Sequence, residues 1–297
     1  MRVWVPYQEL VPRLPAEVEV DVFDLGDEVP KTLDEVEFYV APYTFDRSPL
    51  ELIPRMPALR VVQTQTAGYE HVLPYLRDGL TLCNARGVHD ASTAELAVTL
   101  MLAALRDIPA FVHGRDRRDW RYGWYDALAD RTVLLIGYGG VGQAVERRLA
   151  GFEVEVVRVG RRARDGVAAL SELPELLPRA DVVVLCVPLT DETRGLVDAG
   201  FLARMRDGAL LVNVARGPVV RTDALLAELR AGRLRAAVDV TDPEPPPPDH
   251  PLWTVPNLLM SPHVGGSSSA FRPRVERLVV EQLHRYAAGQ PLAHIVS

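Results

Sequence analysis

Three residues in the last third of the chain have the types and spacing to move a proton on a small acid. Arg216 follows the apolar run in VNVARGPVV, Glu244 stands in DVTDPEPPPP, and His263 stands in LLMSPHVGG. A guanidinium grips a carboxylate through two parallel hydrogen bonds, and a carboxylate beside an imidazole favours the protonated ring. Upstream, GYGGVG places Gly137, Gly139 and Gly142 in GxGxxG spacing. The apolar TVLLI precedes this loop and the helix-patterned VGQAVERRLA follows it, which is the context a dinucleotide site requires. There the first glycine makes the tight turn, the second lets a diphosphate approach the backbone, and the third packs helix on strand. Gly140 and Val141 complete the loop at the helix N-terminus, where the peptide dipoles favour an anion. A cation for a carboxylate, a tuned histidine and a dinucleotide site together predict hydride transfer.

Two alternations of strand and helix must position these groups. In the first ninety residues, segments 3–6, 18–23, 38–41, 59–64 and 80–84 are apolar runs of strand length separated by Pro, Gly and acidic turns. Residues 92–108 form a dense apolar helix, with Ser92 and Glu95 spaced as a capping box. From residue 132 a second alternation predicts strands at 132–136, 153–159, 182–187, 210–214, 236–240 and 258–261. Helices fit at 142–150, 173–177, 199–203 and 222–231. Such alternation reads as an α/β protein built on parallel sheets. Segment 270–288 has helical spacing but belongs to neither alternation, so it is expected to return to the first domain. Between the two lies 115–130, charged and carrying Trp120, Trp124 and Tyr125. This segment reads either as a contact with a second subunit or as a surface loop pinned by its own aromatics.

The adenosine end of the nucleotide site carries its own signal. About twenty residues beyond the glycine loop, NAD sites usually place Asp or Glu for the ribose 2′-hydroxyl. Here VRVGRRARDG has Gly160 at that point, followed by Arg161 and Arg162, with Arg164 further from the adenosine end. Two guanidiniums and no carboxylate favour a 2′-phosphate, hence NADP over NAD. The open alternative is that both arginines face solvent and either cofactor serves.

Composition sets outer bounds. The 297 residues are 48% hydrophobic and 25% charged, enough for two domains with sizeable cores. A formal charge of −7 argues against binding a nucleic-acid backbone. Cys83 and Cys186 lie far apart in apolar runs and read as buried reduced thiols. MRVWVPYQEL reads as a strand start, not a signal peptide, and the longest apolar run is too short to span a bilayer. A cytoplasmic protein with no membrane partner is expected.

Five segments in order resemble the D-isomer-specific 2-hydroxyacid dehydrogenases: VLLIGYGGVGQAVERRL, VPLTDETRGLVD, LLVNVARGPVVRTDALLAEL, AAVDVTDPEPPPPDHPLW and LLMSPHVGG. The resemblance runs from Ala67 to Gly266. It implies two Rossmann-like doubly wound domains. The substrate domain is discontinuous, 1–92 plus 268–297, and the dinucleotide domain is 93–267. It further implies a homodimer acting on a small 2-oxo or 2-hydroxy acid. Arg216 then pairs with the substrate carboxylate and helps polarise its carbonyl. His263 is the acid/base, and Glu244 orients it and keeps it protonated near neutrality. QTQTAGYEHV resembles a turn in which Ala67 and Gly68 offer backbone donors to the substrate carboxylate. Thr93 in STAEL, Pro188, Val214, Thr193 and Asp239 match positions lining the cofactor, with Asp239 an acceptor for the nicotinamide carboxamide. Thr93 together with GRR is similar to the glyoxylate/hydroxypyruvate reductase branch. From topology, Tyr7 and Tyr43 are expected on loops facing the cleft.

Glu244 separates the chain from formate dehydrogenases, which typically pair the histidine with glutamine. A D-3-phosphoglycerate dehydrogenase-like enzyme without a regulatory domain and a non-catalytic NAD(P)-sensing protein are the remaining alternatives. One departure stands out: Gly140 occupies a position where the family more often has Arg.

Overall fold

The computed structural model describes residues 1–296. The chain divides into two compact units, 1–89 with the segment from 269 onward, and 90–268.

In the first unit, β1 (Arg2–Val5), β2 (Glu19–Val22), β3 (Val36–Val40), β4 (Val61–Gln63) and β5 (Thr81–Cys83) form a parallel sheet of order β2-β1-β3-β4-β5. Side chains alternate across a strand, so both faces can be buried at once. Val3, Val5, Phe38, Val40 and Val61 lie on one face, under Val275, Val279 and Leu283 of α7 (Phe271–Ala287). Trp4, Tyr39, Val62 and Leu82 lie on the other. Where the alternation implied α-helices the first unit has 3-10 turns: Leu50–Arg55 covers that second face, while Gln8–Arg13 packs beside α7 on the first. These two turns carry Pro54 and Pro12, which remove a backbone donor and shorten any helix. A buried amide pair has no signature in the sequence: Gln282 of α7 donates to Gln63 Oε1 at 2.8 Å and accepts from Ala293 N at 2.8 Å.

The second unit carries a parallel sheet of order β12-β11-β10-β9-β6-β7-β8. Its strands are β6 (Thr132–Ile136), β7 (Glu155–Gly160), β8 (Ala168–Ala169), β9 (Val182–Leu185), β10 (Leu210–Asn213), β11 (Arg235–Val238) and β12 (Leu258–Met260). Val133, Leu135, Val182, Val184, Leu210 and Val212 face α1 (Asp90–Leu105) and α3 (Gly140–Leu149). Leu134, Ile136, Val183, Leu185 and Leu211 face α4 (Leu173–Leu176), α5 (Ala199–Arg204) and α6 (Thr222–Arg230). The strand order reverses between β6 and β9, and a crevice at the carboxyl ends of such strands is where doubly wound sheets hold ligands.

Helix boundaries depart most from the sequence expectation around 92–108. α1 begins at Asp90, so Ser92 lies inside it and its hydroxyl meets Ser268 Oγ at 2.6 Å instead of forming a capping box. α1 stops at Leu105, Asp107 takes a left-handed backbone (φ 52°), and a separate helix α2 runs from Ile108 to Arg117. No single helix among the described residues is long and apolar enough to cross a membrane.

Candidate active site

Arg216, Glu244 and His263 stand on loops after β10, β11 and β12, three adjacent parallel strands. Parallel neighbours present their carboxyl ends on one edge, which gathers residues far apart in sequence. His263 Nδ1 and Glu244 Oε1 are 2.5 Å apart, with both side chains about one third exposed. Glu244 Oε2 accepts from Thr241 N at 3.2 Å, and the residue sits between two cis prolyl bonds. Burial pushes the Glu244 carboxyl up. The His263 hydrogen bond and charge, the Thr241 N–H and nearby Arg216 outweigh that and hold it below its ordinary value.

The loop carrying Arg216 is locked to the loop carrying Glu244. A β-carbon on Gly217 would lie 1.8 Å from the Thr241 carbonyl oxygen, so only glycine permits this approach. Thr222 Oγ1 donates to Asp242 O at 2.7 Å across the same junction. Arg216 itself is half-buried, with its Nη1 on the Ala215 carbonyl at 2.7 Å.

Asp239, expected to accept from the nicotinamide carboxamide, acts first on the protein. Its Oδ1 accepts from Ser261 Oγ (2.6 Å) and Val264 N (2.9 Å), and its Oδ2 accepts from Gly265 N (2.8 Å). His263 N donates to the Asp239 carbonyl at 2.8 Å, and His263 has a left-handed backbone (φ 54°). This nearly buried carboxylate therefore folds the turn that aims His263. Thr93 on α1 lies beside that turn, 3.5 Å from where a Gly265 β-carbon would stand, which puts it on the histidine side of the site.

The glycine loop fits a dinucleotide. Gly137 has φ +100°, and a β-carbon there would come within 2.6 Å of the Cys186 backbone. One on Gly142 would strike the Gly137 carbonyl at 2.2 Å, the close helix–strand approach expected of the third glycine. At Gly139 nothing lies within 4 Å, leaving the backbone open where a diphosphate would lie. Gly140 departs from the family pattern for a local reason: the Asp90 carboxylate stands 2.0 Å from its would-be β-carbon. Val141 follows in the first turn of α3. Val214 is buried after β10, with its N–H toward Leu185 O at 3.4 Å. Thr193 is also buried and serves its own loop. Its hydroxyl donates to Pro188 O at 2.6 Å and accepts from Thr190 N at 2.8 Å.

Arg161 and Arg162 are exposed at the end of β7, and Arg161 pairs with Glu192. Arg164, placed further off by its position in sequence, instead returns to the glycine loop and donates to Tyr138 O at 2.8 Å. A reversal through Gly166 (φ +67°) and the Arg164–Val167 bridge brings it back.

Ala67, Gly68, Tyr7 and Tyr43 belong to the first unit, whereas Trp120 and Trp124 belong to the second. Ala67 and Gly68 occupy a turn whose carbonyls are claimed, by Asn84 Nδ2 (2.8 Å) and Thr66 Oγ1 (2.6 Å). Tyr7 is 7% exposed, donates to Gln65 Oε1 at 2.6 Å and lies under the Arg272 guanidinium, so it is a packed residue and not an open one. Tyr43 stacks on His89 at a centroid distance of 5.6 Å and packs tilted against Phe271 at 4.3 Å. Trp120 and Trp124 are 93% and 98% exposed.

Fold and site define a dinucleotide-binding oxidoreductase with a carboxylate–histidine pair beside an arginine. The family profile described as "D-isomer specific 2-hydroxyacid dehydrogenase, NAD binding domain" matches residues 98–265. The chain belongs to the D-isomer-specific 2-hydroxyacid dehydrogenases and is an NAD(P)-dependent oxidoreductase. It is 33% identical over 249 residues to the glyoxylate reductase/hydroxypyruvate reductase of Homo sapiens, covering 79% of this chain and 76% of that one. Two solved structures superpose on the whole chain. The NADPH-dependent glyoxylate/hydroxypyruvate reductase of Sinorhizobium meliloti, in complex with NADP and sulfate, is 28% identical with TM-score 0.84 over 98% of its length. A D-isomer specific 2-hydroxyacid dehydrogenase from Xanthobacter autotrophicus Py2, in complex with NADPH and MES, is 29% identical with TM-score 0.82 over 97% of its length.

Proposed function

We propose that this enzyme reduces small 2-oxo acids of the glyoxylate and hydroxypyruvate type to D-2-hydroxy acids, with NADPH as the preferred cofactor. The observation that carries the proposal is the 2.5 Å His263–Glu244 contact on a loop edge shared with Arg216. Bound reduced nicotinamide supplies the hydride that adds to the substrate's C2. His263 gives the proton from Nε2 to the carbonyl oxygen, since its Nδ1 is committed to Glu244. Glu244 holds the ring's orientation and sets a negative charge beside it, offsetting the positive charge the ring carries before transfer. Arg216 pairs with the substrate carboxylate and polarises the carbonyl, and the N–H groups of Ala67 and Gly68 add donors to the same carboxylate. Cofactor preference is supported by Gly160, which leaves the carboxyl end of β7 without an acid, and by Arg161 and Arg162 behind it. Similarity to reductases named for glyoxylate and hydroxypyruvate supports the substrate class.

Homodimers in a reducing cytoplasm complete the proposal, supported by the exposed Trp120 and Trp124 and by two free cysteines. The test is steady-state reduction of glyoxylate, hydroxypyruvate and larger 2-oxo acids with NADPH and with NADH. Turnover of the two small acids with a higher kcat/KM for NADPH is expected. Folded, cofactor-binding protein that turns over no 2-oxo acid overturns the proposal.

A further inference from the structure

The ion pair between Arg161 and Glu192 joins the end of β7 to the loop after β9. β7 and β9 flank β6 on opposite sides, so the pair reaches across the carboxyl end of the strand that feeds the glycine loop. In a doubly wound sheet, the adenosine half of a dinucleotide lies at that place. Both partners are exposed, with 71% and 52% of their side-chain surface open, so a ligand can separate them at little cost. The Glu192 loop is ordered all the same, because buried Thr193 ties Pro188 to Thr190. On the β7 side a side chain at Gly160 would be crowded. A β-carbon on Gly160 would meet Arg164 Nη1 and Val167 Cγ1 at 3.2 Å each, tighter than ordinary contact. The carboxylate missing from the carboxyl end of β7 is supplied from the neighbouring loop, already facing the arginine.

We infer that Arg161 and Glu192 together read the adenosine ribose: the guanidinium takes a 2′-phosphate, and Glu192 accepts the 2′-hydroxyl of a cofactor without that phosphate. The inference rests on the proposal that the β7 arginines meet the 2′-phosphate. A phosphate monoester carries close to two negative charges, so it displaces a single carboxylate from Arg161. Glu192 then remains nearby as a repulsive charge that lowers NADP affinity. With a hydroxyl in place of the phosphate, the ion pair persists and the carboxylate keeps lone pairs to accept from it. Glu192 is on this account the residue that keeps NADH usable by an enzyme whose β7 arginines favour NADPH.

Calorimetric titration of the full-length protein with adenosine 2′,5′-bisphosphate and with ADP tests this without any turnover. Glu192→Gln is expected to tighten the bisphosphate about three- to tenfold and to weaken ADP about two- to fivefold. Arg161→Gln should weaken the bisphosphate about tenfold or more and leave ADP within about twofold. If Glu192→Gln binds both ligands like the wild type while Arg161→Gln loses the bisphosphate, the role of Glu192 is overturned and the arginine reading stands. If Arg161→Gln binds the bisphosphate like the wild type, both are overturned.

Discussion

Gly217 and Thr241 meet backbone to backbone, closely enough that a single methyl group at Gly217 would overlap the Thr241 carbonyl oxygen. Through this contact the arginine loop after β10 and the glutamate loop after β11 become one body. Gly217→Ala has no flexible neighbour to displace, so the cost falls on the backbone of the Glu244 loop. We expect a loss of about 2 kcal/mol or more in urea unfolding, with kcat reduced alongside. An unchanged unfolding midpoint would refute the coupling.

Glu244→Gln keeps a hydrogen-bonding group beside His263 and removes its charge. Without the carboxylate's charge the ring loses the anion that holds its orientation for proton delivery. We expect kcat to fall about tenfold to a hundredfold with cofactor affinity unchanged. A kcat equal to that of the wild type contradicts the assignment.

The same carboxylate links stability to pH. Its folded-state pKa is held below the ordinary value, so its stabilising contribution is present above the ordinary carboxylate range and is lost as pH falls through the folded value. The stability gap between wild type and Glu244→Gln should therefore be widest near neutrality and narrow on acidification. Equilibrium unfolding at several pH values measures it, and a gap that widens toward acid would reverse the sign.

His263 occupies a left-handed backbone that asparagine tolerates better than alanine. His263→Asn should therefore preserve the turn while removing the proton donor. We expect reduction to fall at least about a hundredfold while the dissociation constant for NADPH changes less than about threefold. Loss of cofactor binding in a folded variant would place His263 elsewhere than at the substrate.

Asp239→Asn separates a folding role from a cofactor-binding role. Asparagine offers one acceptor oxygen where the aspartate uses two, so a donor among Ser261, Val264 and Gly265 loses its partner. A loss of about 1–3 kcal/mol in stability with a lowered kcat is expected. A stability equal to wild type, with only NADPH affinity lost, would make Asp239 a cofactor residue without a folding role.

Elements legible in the sequence were those whose cause is local. TVLLI, GYGGVG and the helix after them were readable because a buried strand, a tight turn and an amphipathic helix each declare themselves within a few residues. The order in which Arg216, Glu244 and His263 follow their strands was readable for the same reason. Helices of the first unit were less so. Pro12 and Pro54 lie in segments with helix-like composition and hold them to 3-10 turns, while the left-handed Asp107 and Pro109 just beyond it split α1 from α2.

By itself, then, the sequence determined the parallel-sheet class, the nucleotide loop and the three residues of the candidate site, all set by short-range pattern. Tertiary structure decided what those patterns leave open. It turned Asp239 onto the histidine turn, packed Tyr7 away under Arg272, brought Arg164 back to the glycine loop and set Asp90 against Gly140. It also placed Glu192 on Arg161, thirty-one positions apart in the chain. Each is a contact between separate elements, fixed by strand order and packing, and no local periodicity encodes which polar group will meet which.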